Sequence, residues 1–239
     1  FELFEDNNDA TYSVAWIDCL AKDKNLGRSV LMLGEHAKEG GLEIELKEPI
    51  SVPFYTPSAL LNSMTMKTFN TAYWHKAKDK SQHTVPLMPY FYPLDAIGNW
   101  NRIYGKAGFL QFQCVIPKSD GVANMRKLLK EVANSGEGSF LAVLKQFGKG
   151  NDNLLSFPTE GYTLALDFRL NESTMQTVSR LEAITLGMGG RLYLTKDAVM
   201  QESTFKATYP NWEKFEAVRE KYGATGKFSS AQSKRLGIA

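Results

Sequence analysis

Residues 109–116 read Phe-Leu-Gln-Phe-Gln-Cys-Val-Ile. Leu110, Phe112, Cys114 and Ile116 fall on one side of an extended chain and Gln111 and Gln113 on the other, the period-two pattern of a half-buried strand. Working forward, Pro117 and Ser119-Asp120 turn the chain. Val122, Met125, Leu128, Leu129 and Val132 then recur at helical spacing until Ser135-Gly136 ends the run. Ser139–Gln146 is a second predicted strand, Gly148–Asn153 a polar loop, and Gly161–Leu170 a third strand with Tyr162, Leu164, Leu166 and Phe168 on one side. Asn171–Leu186 carries Met175, Val178, Leu181 and Ile184 along a helical stripe, with Asn171 as its cap, and Gly190–Thr195 returns as a strand. The order β-α-β-β-α-β predicts an α+β fold with a ferredoxin-like antiparallel sheet and both helices on one face.

Upstream, extra strands are expected at Tyr12–Leu20, Ser29–Leu33 and Leu42–Leu46, followed by a helix over Pro57–Trp74. His83–Trp100, rich in proline and aromatics, reads as too irregular for an element. Downstream, Tyr209-Pro210-Asn211 leads into a helix bearing Trp212, Phe215, Val218 and Tyr222, and Phe228–Ala239 is a short tail. The 239 residues, 43% hydrophobic with 28 basic and 26 acidic side chains, describe an ordinary globular chain rather than a disordered or collagenous one. A net charge of +2 implies no polyanionic partner. No apolar run reaches the roughly 18 residues of a membrane span. The chain begins with Phe1 and an acidic stretch, unlike a signal peptide, and reads as a piece of something longer. Cys19 and Cys114 sit in apolar, strand-like stretches without metal or disulfide spacing, which fits buried free thiols in a reducing cytoplasm. The three histidines lack zinc-site spacing. Gly187-Met188-Gly189-Gly190 follows a helix and precedes a strand, the reverse of a dinucleotide fingerprint, and reads as a cap and tight turn.

The side of the sheet opposite the helices carries Gln111, Gln113, Thr163, Ala165 and Asp167, with Leu141, Val143 and Lys145 added by the second strand. Lys196 stands at the end of the last strand. Such a face is either simply solvated, as antiparallel sheets often are, or the floor of a pocket whose amides and lysines bind a polyhydroxy or anionic ligand. RNA-binding domains share this strand order, but glutamines stand where stacking aromatics would be needed, so no nucleic-acid partner is expected.

Several segments together resemble a known family: YSVAWIDCLA from Tyr12, LGRSVLMLGEHA from Leu26, YPLDAIGNWNRIYGKAGFLQFQCVIP from Tyr92, LSFPTEGYTLALDF from Leu155, GGRLYLTKDAVM from Gly189 and TYPNWEKFEAVREKYG from Thr208. The chain is similar to FAD-linked oxidases of the vanillyl-alcohol-oxidase type that act on sugars and aldonolactones. The resemblance implies a substrate-binding (cap) domain over residues 1–190 and a C-terminal segment, 191–239, that returns to an FAD-binding domain lying outside this chain. It implies FAD as cofactor, a sugar or polyprenyl-phosphate-sugar substrate, oxidation of a secondary alcohol to a ketone, and a short-chain reductase as partner. A lipid-linked substrate would bring the protein to the membrane surface. Carried over by position, Gln111, Gln113, Lys145, Leu141, Val143, Phe147 and Trp16 line the substrate pocket. Phe91 stands where relatives have a tyrosine, Thr163 where they have an asparagine, and Ala165 where mycobacterial members have a cysteine. Lys196 matches the lysine that contacts the flavin, and Gln113 lies beside it. The rival reading is a ferredoxin-like ligand-binding or interaction module without chemistry.

Overall fold

The computed structural model describes residues 1–41, 43–44, 50–57, 60–77, 81–139 and 141–239. The chain opens with a short helix, α1 (Glu2–Asp6), whose Phe4 enters the core. Strands β1 (Tyr12–Ile17) and β2 (Ser29–Gly34) form a hairpin, with Tyr12 opposite Gly34 and Ile17 opposite Ser29. Next come β3 (Ile50–Ser51), α2 (Ser63–Ala77), α3 (Leu87–Phe91) and β4 (Ile97–Gly98). The central module follows as β5 (Phe109–Pro117), α4 (Gly121–Ser135), β6 (Ala142–Phe147), β7 (Gly161–Arg169), α5 (Glu172–Gly187) and β8 (Arg191–Leu192). Helices α6 (Glu202–Thr208), α7 (Trp212–Lys221) and α8 (Ala231–Arg235) complete the chain.

Six strands form one antiparallel sheet in the order β2-β1-β6-β7-β5-β8, while β3 and β4 pair in parallel apart from it. The register of β5 on β7 runs from Phe109 opposite Arg169 to Pro117 opposite Gly161. Gly161 is required at that end, because a Cβ there would lie 2.0 Å from the Ile116 carbonyl oxygen. The caps explain the helix bounds. Gly136 takes the left-handed conformation after α4, which glycine adopts without cost. The Asn171 side chain accepts the Thr174 N–H at 2.7 Å and starts α5. Helices α4 and α5 pack on one side of the sheet. Met125, Leu128, Leu129, Val132, Val178 and Leu181 join Leu110, Phe112, Cys114, Ile116, Leu164, Leu166 and Phe168 in a single core. The segment after β8 belongs to the same core through Met200, Phe205, Tyr209 and Leu236.

Several expected elements differ. The last strand, expected over Gly190–Thr195, is only Arg191–Leu192, and Leu194–Lys196 forms a 3-10 turn. Tyr193 N–H still bonds to the Gln113 carbonyl at 2.9 Å, but Lys196 N–H turns back to Tyr193 O at 3.0 Å. Strand β6 begins at Ala142 rather than Ser139, because the Ser139 hydroxyl bonds Leu141 O at 2.7 Å and competes with the ladder. Helix α2 starts at Ser63 rather than Pro57, where the Asn62 side chain accepts the N–H groups of Met64 and Thr65. His83–Trp100 is not featureless: it holds α3, a 3-10 turn at Pro93–Ala96, and β4. Val122 and Met175, read as stripe residues, are exposed. Of the strand expected over Leu42–Leu46 only residues 43–44 are described, and they form no strand; the rest, and the placement of Phe140, lie outside the described residues. Both cysteines are free and buried, and burial pushes each thiol up to about 12.

Candidate functional site

Residues directly opposite one another in an antiparallel pair point to the same face. Trp16 is opposite Val143, Val143 opposite Ala165, and Ala165 opposite Gln113. These four therefore form one row across β1, β6, β7 and β5, on the side away from α4 and α5. A second row joins Lys145 to Thr163, and a third joins Gln111 to Asp167. The expected constellation of Gln111, Gln113, Thr163, Ala165, Val143, Lys145 and Trp16 is thus one surface.

Hydrogen bonds run laterally across it. Gln111 Nε2 donates to Asp167 Oδ1 at 2.8 Å, and Gln113 Nε2 donates to Thr163 Oγ1 at 3.0 Å. Thr163 and Asp167 are only 1% and 3% exposed, so this face is closely covered by its own side chains. Burial pushes the Asp167 carboxyl above its ordinary value, while the Gln111 bond and the charge of Lys196 pull the other way. Among the described residues Asp167 Oδ2 is buried without a hydrogen-bond partner. The Lys145 ammonium is held below its ordinary value, first by desolvation and then by repulsion from Lys196. Lys196 therefore acts electrostatically on both sides of the face. It is half-buried, and among the described residues it forms no ion pair.

Lys196 sits in the 3-10 turn after β8, not in the strand itself. The turn is fastened from the far end of the chain. Gln232 Nε2 donates to Leu194 O at 2.5 Å, and Arg235 pairs with the buried Asp197 carboxylate at 2.8 Å. Asp197 Oδ1 also accepts the N–H groups of Val199 and Met200. A narrow cleft at this edge is lined by Gln111, Gln113, Tyr193 and Lys196, together with Val178 and Glu182 of α5.

The remaining expected residues are placed less uniformly. Leu141 is half-buried just before β6. Phe147 ends β6 and packs edge-on to Phe157 at 5.8 Å, which stacks on Tyr193 at 4.5 Å. Trp16 is not open to solvent: Tyr73 of α2 lies 4.6 Å from it, so α2 covers that end of the face. Phe91 packs edge-on to Tyr12 at 4.8 Å. Tyr12 lies on the same side of β1 as Trp16 but four residues earlier, which puts Phe91 at the rim rather than over the glutamines. Asp167 was visible in the alternation as a member of this face, but strand period alone could not show that it holds Gln111. Among the described residues no group of three or more His, Cys, Asp or Glu side chains is placed to hold a metal, and no helix is long and apolar enough to cross a membrane.

Residues 161–236, which include β7, α5 and the Lys196 turn, match the family described as D-arabinono-1,4-lactone oxidase. Decaprenylphosphoryl-beta-D-ribose oxidase from Mycolicibacterium smegmatis is 34% identical over 235 residues, covering 95% of this chain and 51% of that protein. The chain resembles the FAD-linked oxidases. An uncharacterized protein encoded in the mprA 5′ region of Streptomyces coelicolor is 23% identical over 246 residues, covering 95% of this chain and 66% of that protein. The chain thus spans between half and two thirds of the length of these curated relatives.

Proposed function

We propose that this chain is the substrate-binding part of an FAD-dependent oxidoreductase that oxidises a secondary alcohol of a sugar, carried on a polyprenyl phosphate, to the ketone. The observation that carries this reading is the half-buried Lys196, without an ion pair among the described residues, at the edge of a face floored by Gln111, Gln113 and Lys145. In this reading residues 1–190 form a ferredoxin-like substrate domain and residues 191–239 return to the flavin-binding part of the protein.

The donor set suits FAD. A fixed cation beside a cleft, with no carboxylate bonded to it among the described residues, favours a ring system that becomes more negative on reduction. When bound, FAD supplies the hydride acceptor. Lys196, with Gln113 beside it, would hold the ring, and its charge would offset negative charge placed on the ring. Gln111, Lys145 and Thr163 bind and orient the sugar hydroxyls, while Leu141, Val143, Ala165, Phe147 and Trp16 form the apolar part of the wall. Phe91 guards the rim. The substrate carbon would give a hydride to the flavin and its hydroxyl a proton to a base supplied outside this chain, leaving a carbonyl. A short-chain reductase that returns hydride to that carbonyl is the partner this chemistry calls for.

The test is Lys196→Ala in the full-length protein, followed by stopped-flow flavin absorbance under anaerobic conditions. Loss of one well-placed charge in a dry site costs about 3 kcal/mol of transition-state stabilisation, or more than a hundredfold in rate. Flavin reduction by substrate is expected to fall by at least that factor while the protein stays folded. Normal reduction kinetics would refute the role of Lys196. A folded full-length protein without flavin absorbance would overturn the oxidase reading in favour of a ligand-binding module.

A further inference from the structure

Gln111 and Gln113 look alike in sequence but are held differently. Gln113 bonds the Thr163 hydroxyl, which can donate or accept, so that bond is compatible with either orientation of the amide. Gln111 bonds a carboxylate, which when ionised only accepts. The nitrogen end of the Gln111 amide must then face Asp167 on β7. The carbonyl end is then turned away from β7, and the neighbour of β5 on that other side is β8, which leads into Tyr193 and the Lys196 turn. Among the described residues Asp167 Oδ2 is buried and unpartnered, and the bond to Gln111 is the carboxylate's side-chain hydrogen bond into this face.

We propose that Asp167 is a positioning residue that fixes the hydrogen-bond polarity of the cleft, so that Gln111 offers an acceptor beside the Lys196 donor and the pair selects a neutral hydroxyl. A hydroxyl donates to the Gln111 carbonyl and accepts from the Lys196 ammonium at once. A phosphate or carboxylate oxygen meets the carbonyl with no proton to share, and an amine cation is repelled by Lys196. Any phosphate of the ligand therefore lies outside this subsite, and the hydroxyl held here is a neutral group of the sugar. The inference deepens the proposed function and rests on the cleft being the sugar subsite.

The experiment uses the full-length flavoprotein. Its visible absorbance reports binding of a short-chain prenylphosphoryl-ribose and of analogues in which one ring hydroxyl at a time is replaced by fluorine, which cannot donate. One analogue is expected to bind the wild type at least tenfold more weakly than the parent, as for loss of one hydrogen bond to a buried acceptor. Asp167→Asn frees the Gln111 amide to turn, and the discrimination is expected to fall about tenfold toward unity. The double variant Gln111→Glu/Asp167→Asn restores an acceptor facing the cleft, held by the asparagine amide, and discrimination is expected to return. A merely structural Asp167 would not give this rescue. Should Asp167→Asn fail to fold, Gln111→Met removes the acceptor directly and is expected to show the same loss. Unchanged discrimination in the variants, with flavin reduction still dependent on Lys196, overturns this inference alone. A wild-type protein that binds none of the sugars overturns the reading beneath it.

Discussion

The two faces of β5 and β7 are built from alternate residues of the same strands, and both contain residues shut off from solvent. On the helix side Leu110, Phe112, Cys114, Leu164, Leu166 and Phe168 are buried by α4 and α5. On the other side Thr163 and Asp167 are just as inaccessible and accept hydrogen bonds across the strands from the half-buried Gln113 and Gln111. One face is dry packing, whose free energy scales with apolar area. The other is a polar lattice, whose members keep spare donors and acceptors. Burial of individual residues therefore does not imply equal roles: the first face stabilises the fold, and the second costs stability in order to present charge and hydrogen-bonding groups.

Paired substitutions separate the two most sharply. Leu164→Ala empties a fully buried position between the helices and the sheet and is expected to lower unfolding free energy by about 2–5 kcal/mol in urea titrations. Gln113→Ala, one strand away, removes a single lateral hydrogen bond and is expected to cost about 1 kcal/mol. Comparable losses at the two positions would mean that the polar lattice is as structural as the core.

Acidity provides a second, smaller contrast. The Asp167 carboxyl is raised above its ordinary value of 3.8 by burial, so its protonated form suits the folded state better. Its penalty is absent at low pH and grows as pH rises through the folded-state value. Asp167→Asn should therefore gain stability relative to the wild type between pH 4 and neutrality, read as a difference in melting temperature. A constant difference across that range would show that burial does not govern this group. Glu5 is the opposite case. Its carboxyl is lowered below 4.5, first by Lys118 and then by the Tyr162 hydroxyl, so its contribution is present above that value and is lost as pH falls. The Glu5–Lys118 pair is more than a third exposed on both sides, and Glu5→Gln is expected to cost less than about 1 kcal/mol. The change should appear as faster amide exchange in Glu2–Asp6, with the core unchanged.

The central module was legible because three local signals coincide there. Alternation in β5 and β7, the stripe of α4, and the caps at Gly136 and Asn171 each fix the same boundaries, and the observed elements match within a residue or two. Alternation also sorted Gln111, Gln113, Thr163, Ala165 and Asp167 onto one face, since a strand's period leaves no freedom in the matter. What escaped is governed by contacts distant in sequence. The coverage of Trp16 by Tyr73 depends on where α2 lands, and the packing of Phe91 against Tyr12 on where α3 lands. Neither helix has a marked amphipathic stripe. The last strand was overextended because Tyr193 and Thr195 have good strand propensity, while the bonds that bend the chain at Lys196 come from Gln232 and Arg235.

Those bonds give the final helix a reach beyond its size. The lysine expected to face the cofactor is aimed by residues some 38 positions downstream, on a five-residue helix whose own stability is slight. Its placement is thus held like the free end of a spring clip: small disturbances at residues 231–235 would be felt at the cleft without touching the sheet. A substitution at Gln232 or Arg235 belongs in that class of disturbance. Activity measured on such a protein would report the grip on Asp197 as much as the chemistry of Lys196.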